Sequence, residues 1–321
     1  MRELTQAPAR FWRLDVASRA AALSLGSNAV LMVAKLSVGL MFGSVAVLSD
    51  GVDSAQDVFA SGLAFFAVRL AMQPADEAHP YGHGKTESLA ALSQAALIAG
   101  GATFIAVAAL RRMFDGGADI DVGPSLAIMA VTAVVNLAVA AYAMRAARIS
   151  ESVAIAADAR HLLTNVVQAA GVIFALTLVG ITGRQIFDPL VALAIAAYLA
   201  YTVARITADA LRELIDSSLP DEEVAMIEAC LATHEHGLRG FHAMRTRKSG
   251  REKHIDLHVL VDPAMTVSAA HLRIEEIESD LRSCIPGAKI AIHVDPDEPD
   301  IMERGEAEAA PTERGLHLHK H

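Results

Sequence analysis

Cysteine is scarce in this chain. Cys230 and Cys284 are the only two; they stand far apart and form no CxxC pattern. A metal–thiolate site is therefore not expected from them, and both read as reduced thiols of a cytosolic region. A surplus of positive charge is missing too. Lysine and arginine total 27 against 37 acidic residues, a net charge of −10, which argues against a nucleic-acid binder. Much of the acid lies in the last hundred residues. A cleavable signal peptide is not expected either: Arg2, Arg10 and Arg13 precede the first apolar run, but no convincing small-residue cleavage site goes with it. That run is expected to stay as the first membrane helix. What abounds is apolar residue: 53% of the 321, with a mean hydropathy of +0.38, more than soluble domains carry.

Six apolar segments reach the length that spans about 30 Å of hydrocarbon. They run from about Ala20 to Leu40, Ser44 to Ala71, Ser88 to Leu110, Pro124 to Met144, Ser150 to Val179, and from Asp188-Pro189, read as an N-cap with proline at the first helical position, to about Arg205. With the N-terminus in the cytosol, the inner side receives Arg10, Arg13, Arg19, Arg69, Lys85, Arg145, Arg148 and Arg212. The outer side receives only Arg111, Arg112 and Arg184, so the bias favours cytosolic termini. Lys35, inside the first segment, is expected to snorkel to the outer interface.

The second segment carries Asp50, Asp53 and Asp57 at i, i+3 and i+7, one face of a helix. Carboxylates within a bilayer cost several kcal/mol unless paired or solvated. They either pair with buried cations of the protein or hold a cation that passes through. The fifth segment bears a second polar stripe of Asp158, His161, Asn165 and Gln168. Two carboxylates from one helix with an imidazole nitrogen and an amide oxygen from the other can form a four-ligand cage. Such a mixed nitrogen and oxygen set suits zinc and its first-row neighbours. The plainer alternative is a polar seam joining two helices.

Between the second and third segments lie Asp76, His79 and His83, spaced for a surface metal site or for capping the adjacent helices. After Arg205 the chain changes character. An amphipathic helix is expected over Pro220 to His234, strands over Phe241 to Lys248 and Lys253 to Val261, a helix over Val267 to Cys284, and a strand over Lys289 to His293. That order, α-β-β-α-β, makes a small α+β domain. His242, His258, His271, His293 and Asp295 fall on it and are expected to converge on metal. From Pro296 onward no periodicity remains and the tail is expected to be disordered. His317, His319 and His321 alternate there as weak metal ligands or as an incidental end.

The residues Asp50-Gly51-Val52-Asp53-Ser54-Ala55-Gln56-Asp57, His79-Pro80-Tyr81-Gly82-His83-Gly84-Lys85-Thr86-Glu87-Ser88 and Ala157-Asp158-Ala159-Arg160-His161 resemble those of the cation diffusion facilitator family. Gln73-Pro74-Ala75-Asp76 and Leu219-Pro220-Asp221-Glu222-Glu223 resemble its bacterial zinc- and iron-exporting branch. The resemblance runs from about Arg13 to Pro296. It implies a homodimer of six-helix protomers with cytosolic domains that exchanges a divalent cation for protons. It implies a transport site on Asp53, Asp57, His161 and the residue four beyond it, and a loop site on Asp76, His79 and His83. It further implies a dimetal site drawing on His242, His258, His271, His293 and Asp295, and an interface pair of Lys85 with Asp216. Where the branch has HxxxD, this chain has His161-Leu162-Leu163-Thr164-Asn165. A neutral Asn165 leaves two carboxylates at the site.

The expected protein is thus a polytopic α-helical membrane protein with six transmembrane helices and a C-terminal cytosolic α+β, metallochaperone-like domain. Its expected parts are a cytosolic segment 1–18, a transmembrane domain 19–210, a metal-binding and dimerisation domain 211–296 and a tail 297–321. It is expected not to be an enzyme. Its expected work is proton-coupled export of a divalent cation across the bacterial inner membrane; zinc leads, with iron, cobalt, cadmium and manganese as alternatives. Its expected partners are a second copy, membrane lipid and protons, and no nucleic acid. Asp50, Asp158 and Gln168 are expected to be auxiliary. The rival is a transport-inactive, membrane-anchored metal sensor or assembly partner, which the missing aspartate motivates.

Overall fold

The structure is a computed structural model that describes residues 15–42, 45–115, 123–184, 186–234, 238–298 and 314–317, with side chains at 39, 42, 45–50, 52, 53, 114, 115, 123–129, 176 and 314–317 outside the described set. The chain divides into two compact units, Met1–Leu211 and Arg212–His321.

The first unit is helical: α1 (Val16–Phe42), α2 (Val45–Ala71), α3 (Thr86–Asp115), α4 (Gly123–Ser150), α5 (Val153–Thr182) and α6 (Phe187–Leu214). By length and composition α1, α3, α4, α5 and α6 each contain a stretch able to cross a membrane. The sixth, α2, is as long as α1, at 27 residues, but carries the aspartate stripe and Arg69. α1, α3, α4 and α6 outrun their apolar segments because polar flanking turns continue the same backbone. At α6 the helix already begins at Phe187, so Asp188 sits in its first turn instead of capping it. There its carboxylate takes a 2.9 Å bond from Arg112 Nη1.

Alanine fills the interior. Ala17, Ala20, Ala21, Ala143, Ala147 and Ala159 pack with Val68 and Ile155 in one cluster; Ala91, Ala95 and Ala157 pack with Ile195, Leu199 and Ile206 in another. Small side chains let helices approach closely where lipid offers no hydrophobic drive to associate. Large apolar side chains such as Val30, Phe59, Phe66, Phe104 and Ile181 point outward instead, as a lipid-facing surface requires. Buried polar ties lock the register. Gln94 Nε2 donates to Ala60 O at 3.1 Å, and the Ser152 hydroxyl, which also caps α5, donates to the buried Glu87 carboxylate.

The second unit follows the expected order: α7 (Asp221–Ala232), β1 (Gly240–Ser249), β2 (Glu252–Val261), α8 (Val267–Cys284) and β3 (Ala288–Pro296). β2 pairs antiparallel with β1 and parallel with β3. The period-2 pattern of β2 sends Ile255, Leu257, Val259 and Val261 into a core with Val224 and Ile227 of α7 and Ile274, Ile277 and Leu281 of α8. The other parity, with His258, takes the opposite face. A fourth strand, β4 (Arg314–His317), pairs antiparallel with β1 inside the stretch expected to be disordered. Without that strand β1 would be the sheet edge on that side, and an unpaired edge accepts a further strand. His317 ends that strand, its side chain outside the described residues, as are His319 and His321. The fold also unites what the sequence keeps apart. The free thiols of Cys230 and Cys284 lie 3.2 Å from each other, and burial pushes the Cys230 thiol up to about 12.

Candidate metal centres

In the membrane unit, Asp57 and His161 meet. His161 Nε2 lies 3.0 Å from Asp57 Oδ1, and its Nδ1 is buried without a hydrogen-bond partner. Both line a cavity of about 790 Å³ together with Asn165, Gln168, Thr164 and Asn136. His161, Asn165 and Gln168 share the cavity because i, i+4 and i+7 lie on one helix face. The Asn165 amide nitrogen is buried with no hydrogen-bond partner. The Asp50 and Asp53 side chains lie outside the described residues, though the backbone of both is helical.

Asp158 takes a different place. Although it is on the expected stripe, it does not line the cavity. Its Oδ1 accepts a 2.8 Å bond from Ser61 Oγ, which in turn meets Ser24 Oγ at 3.0 Å and Asn28 Nδ2 at 2.9 Å. Three residues before His161 the helix has turned by about 300°, enough to aim Asp158 at α1 and α2. Lys35 departs from its expected snorkelling. It is 5% exposed, and its Nζ donates 2.9 Å to Ser54 Oγ at the cavity wall. Gly51 explains the reach: an added Cβ there would stand 2.8 Å from Leu36 Cδ2 and 3.2 Å from Leu36 N. The backbones of α1 and α2 are therefore close at this level.

The loop residues converge as the spacing suggests. One ligand atom each, a carboxylate oxygen of Asp76 and an imidazole nitrogen of His79 and of His83, lies within 4.8 Å of the others. Asp76 Oδ1 accepts from the backbone N–H groups of His79 and Ala78 at 2.6 and 3.0 Å. The backbone N–H of His79 foremost, and after it the His79 side chain, hold the Asp76 carboxyl below its ordinary value. They also fix its free oxygen toward His83 Nε2 at 3.5 Å.

In the C-terminal unit the cluster centres on Asp295. Its Oδ2 lies 2.8 Å from His258 Nδ1 and 3.2 Å from His242 Nε2, while Oδ1 lies 3.2 Å from His293 Nε2. His258 faces His242 across β1 and His293 across β3 in direct register, so three imidazoles share one face. A register shift after His242, with Ala243 at φ 51°, lets Phe241 and Met244 both reach the core while His242 keeps the ligand face. His271 does not join this cluster within the chain. It rides α8, which covers the opposite face, is 70% exposed, and lies 3.4 Å from Glu275. Asp216 pairs at 3.4 Å with Arg247 of its own unit; Lys85 belongs to the other unit.

Comparison with known proteins gives these sites a family. Residues 21–215 match the cation efflux transmembrane domain, and residues 219–297 match the cation efflux protein cytoplasmic domain, the dimerisation domain of that family. The cation-efflux pump FieF of Serratia proteamaculans is 36% identical over 287 residues, 89% of this chain and 94% of that protein. FieF of Pectobacterium atrosepticum is 36% identical over 271 residues, 83% and 88% of the two chains. A solved structure of CzrB, a candidate zinc transporter, is 32% identical and wholly covered, but spans 25% of this chain with a TM-score of 0.24. The family transports cations and is not one of enzymes. This chain belongs to the cation efflux, or cation diffusion facilitator, family of membrane transporters.

Proposed function

We propose that this transporter is a proton-coupled exporter of a divalent cation, zinc foremost, across the bacterial inner membrane with both termini in the cytosol. The observation that carries this reading is the Asp57–His161 pair, 3.0 Å apart on a cavity wall inside a helical bundle. Buried ionisable pairs within a membrane mark ion and proton pathways. Asp53, Asp57 and His161 serve as ligands, with Asn165 as a neutral fourth. Imidazole nitrogens and carboxylate oxygens take a proton or a metal at the same lone pairs, so protonation from the outer side releases the cation. Mixed nitrogen and oxygen ligands favour zinc; iron, cobalt, cadmium and manganese accept the same set.

The loop triad of Asp76, His79 and His83 and the cluster on Asp295 bind the same cation outside the membrane. The latter senses cytosolic metal and draws two protomers together. Lys85 and Asp216 pair at the cytosolic face. The test is zinc flux into proteoliposomes under an imposed pH gradient, with Asp57→Ala as the control. Flux that the gradient drives, lost in Asp57→Ala, supports the reading. Zinc binding without flux leaves the sensor reading in its place, and flux indifferent to the gradient leaves a passive channel.

A further inference from the structure

Among the described residues, Lys35 is the one lysine that borders the membrane cavity. It sits 20 residues into α1, on the wall that also carries Asp57, His161 and Asn165, and it is as buried as the core alanines. An ammonium at such depth costs several kcal/mol unless acidic or hydroxyl groups hold it. Here Ser54, on α2 between Asp53 and Asp57 in the chain, takes its hydrogen bond at 2.9 Å, and the close α1–α2 approach at Gly51 keeps it there. The lysine is thus fixed on the cavity wall that Asp57 also lines instead of reaching for the interface.

We propose that Lys35 is an affinity-setting residue of the membrane site, a tethered cation that competes electrostatically with the transported divalent ion. The inference rests on the transport site proposed above. Two carboxylates, one ammonium and a neutral Asn165 leave the site a single net negative charge. An incoming divalent ion meets both the attraction of the aspartates and the repulsion of Lys35. The repulsion acts on the bound state, so it raises the release rate and holds affinity in the range a transporter needs. Ser54 serves as the tether that keeps the ammonium at a set place.

The test uses the full chain in detergent with His79→Ala, His83→Ala, His258→Ala and Asp295→Ala, which cripples both clusters outside the membrane. Zinc ion alone is titrated by calorimetry. Lys35→Met and Lys35→Gln are each expected to tighten zinc binding by at least about tenfold, since a single positive charge about 10 Å from a divalent ion at an effective dielectric near 20 has an effect of that order or larger. Lys35→Arg, which keeps the charge, is expected to stay within about threefold of the parent. In proteoliposomes Lys35→Met should lower both the half-saturating zinc concentration and the turnover. If all three variants weaken binding alike, Lys35 is a structural tie and the proposal is wrong. Unchanged affinity in folded Lys35→Met or Lys35→Gln overturns it as well. If Asp57→Ala in the same background leaves zinc affinity unchanged, it is the transport-site reading that falls, and this inference with it.

Discussion

Replacing Asp295 by alanine removes the single carboxylate that His242, His258 and His293 share at 3.2, 2.8 and 3.2 Å. Truncating one member of a buried charged set costs about 3–5 kcal/mol of interaction. Asp295 itself is largely buried, but the His258 and His293 side chains are 40% and 65% exposed. Water therefore screens the outer side of the cluster, and the lower end of the range, about 3 kcal/mol, applies. At about 1.4 kcal/mol per tenfold change, zinc should bind about 100-fold more weakly. Asp295→Asn keeps an oxygen but no charge, and about a tenfold loss is expected because charge-assisted contacts are roughly twice as strong as neutral ones. The assay is calorimetric titration of zinc into the fragment Arg212–His321, which has its own hydrophobic core, with circular dichroism to show that each variant keeps its fold. A folded Asp295→Ala fragment that binds zinc within threefold of the parent refutes the assignment of this carboxylate as the centre of the site.

Asn165→Asp adds a charged ligand and a further proton carrier on the cavity face, so zinc binding should tighten and its pH dependence steepen; if calorimetry across pH shows neither, residue 165 is not a ligand. Lys85→Asp and Asp216→Lys should each lower flux and together restore it, and a double variant as impaired as the singles would show that the two never pair. Burial, and after it the positive charge of Arg247, holds His254 below its ordinary value of 6.5. The folded state then binds fewer protons than the unfolded one just below that value. Stability from this group is therefore full above about 6.5 and is lost as pH falls from there through the depressed folded value. His254→Gln should flatten the decline in denaturation midpoint of the C-terminal fragment between about pH 7.5 and 5.5; an unaltered decline would remove His254 as its source.

The sequence by itself determined the helical membrane unit, the α-β-β-α-β order behind it and the family. Hydrophobic length and periodicity are local properties that any folded form must honour. The i, i+3, i+4 and i+7 spacings likewise put His161, Asn165 and Gln168 on one face before any packing was known. The loop triad was legible because three ligands within eight residues can meet only nearby. Tertiary structure decided the rest. Asp158 shares a stripe with His161, yet the roughly 60° by which three residues fall short of a full turn hands it to Ser61 and away from the cavity. Lys35 reads as an interfacial snorkel until the close approach of α1 and α2 carries it to Ser54. His271 is a ligand type in the right domain, but α8 lies on the core face of the sheet while the ligand histidines occupy the other. Cys230 and Cys284 come within 3.2 Å only through the packing of α7 on α8. In each case the deciding quantity is which face meets which neighbour. That depends on residues distant in the chain, and no local pattern encodes it.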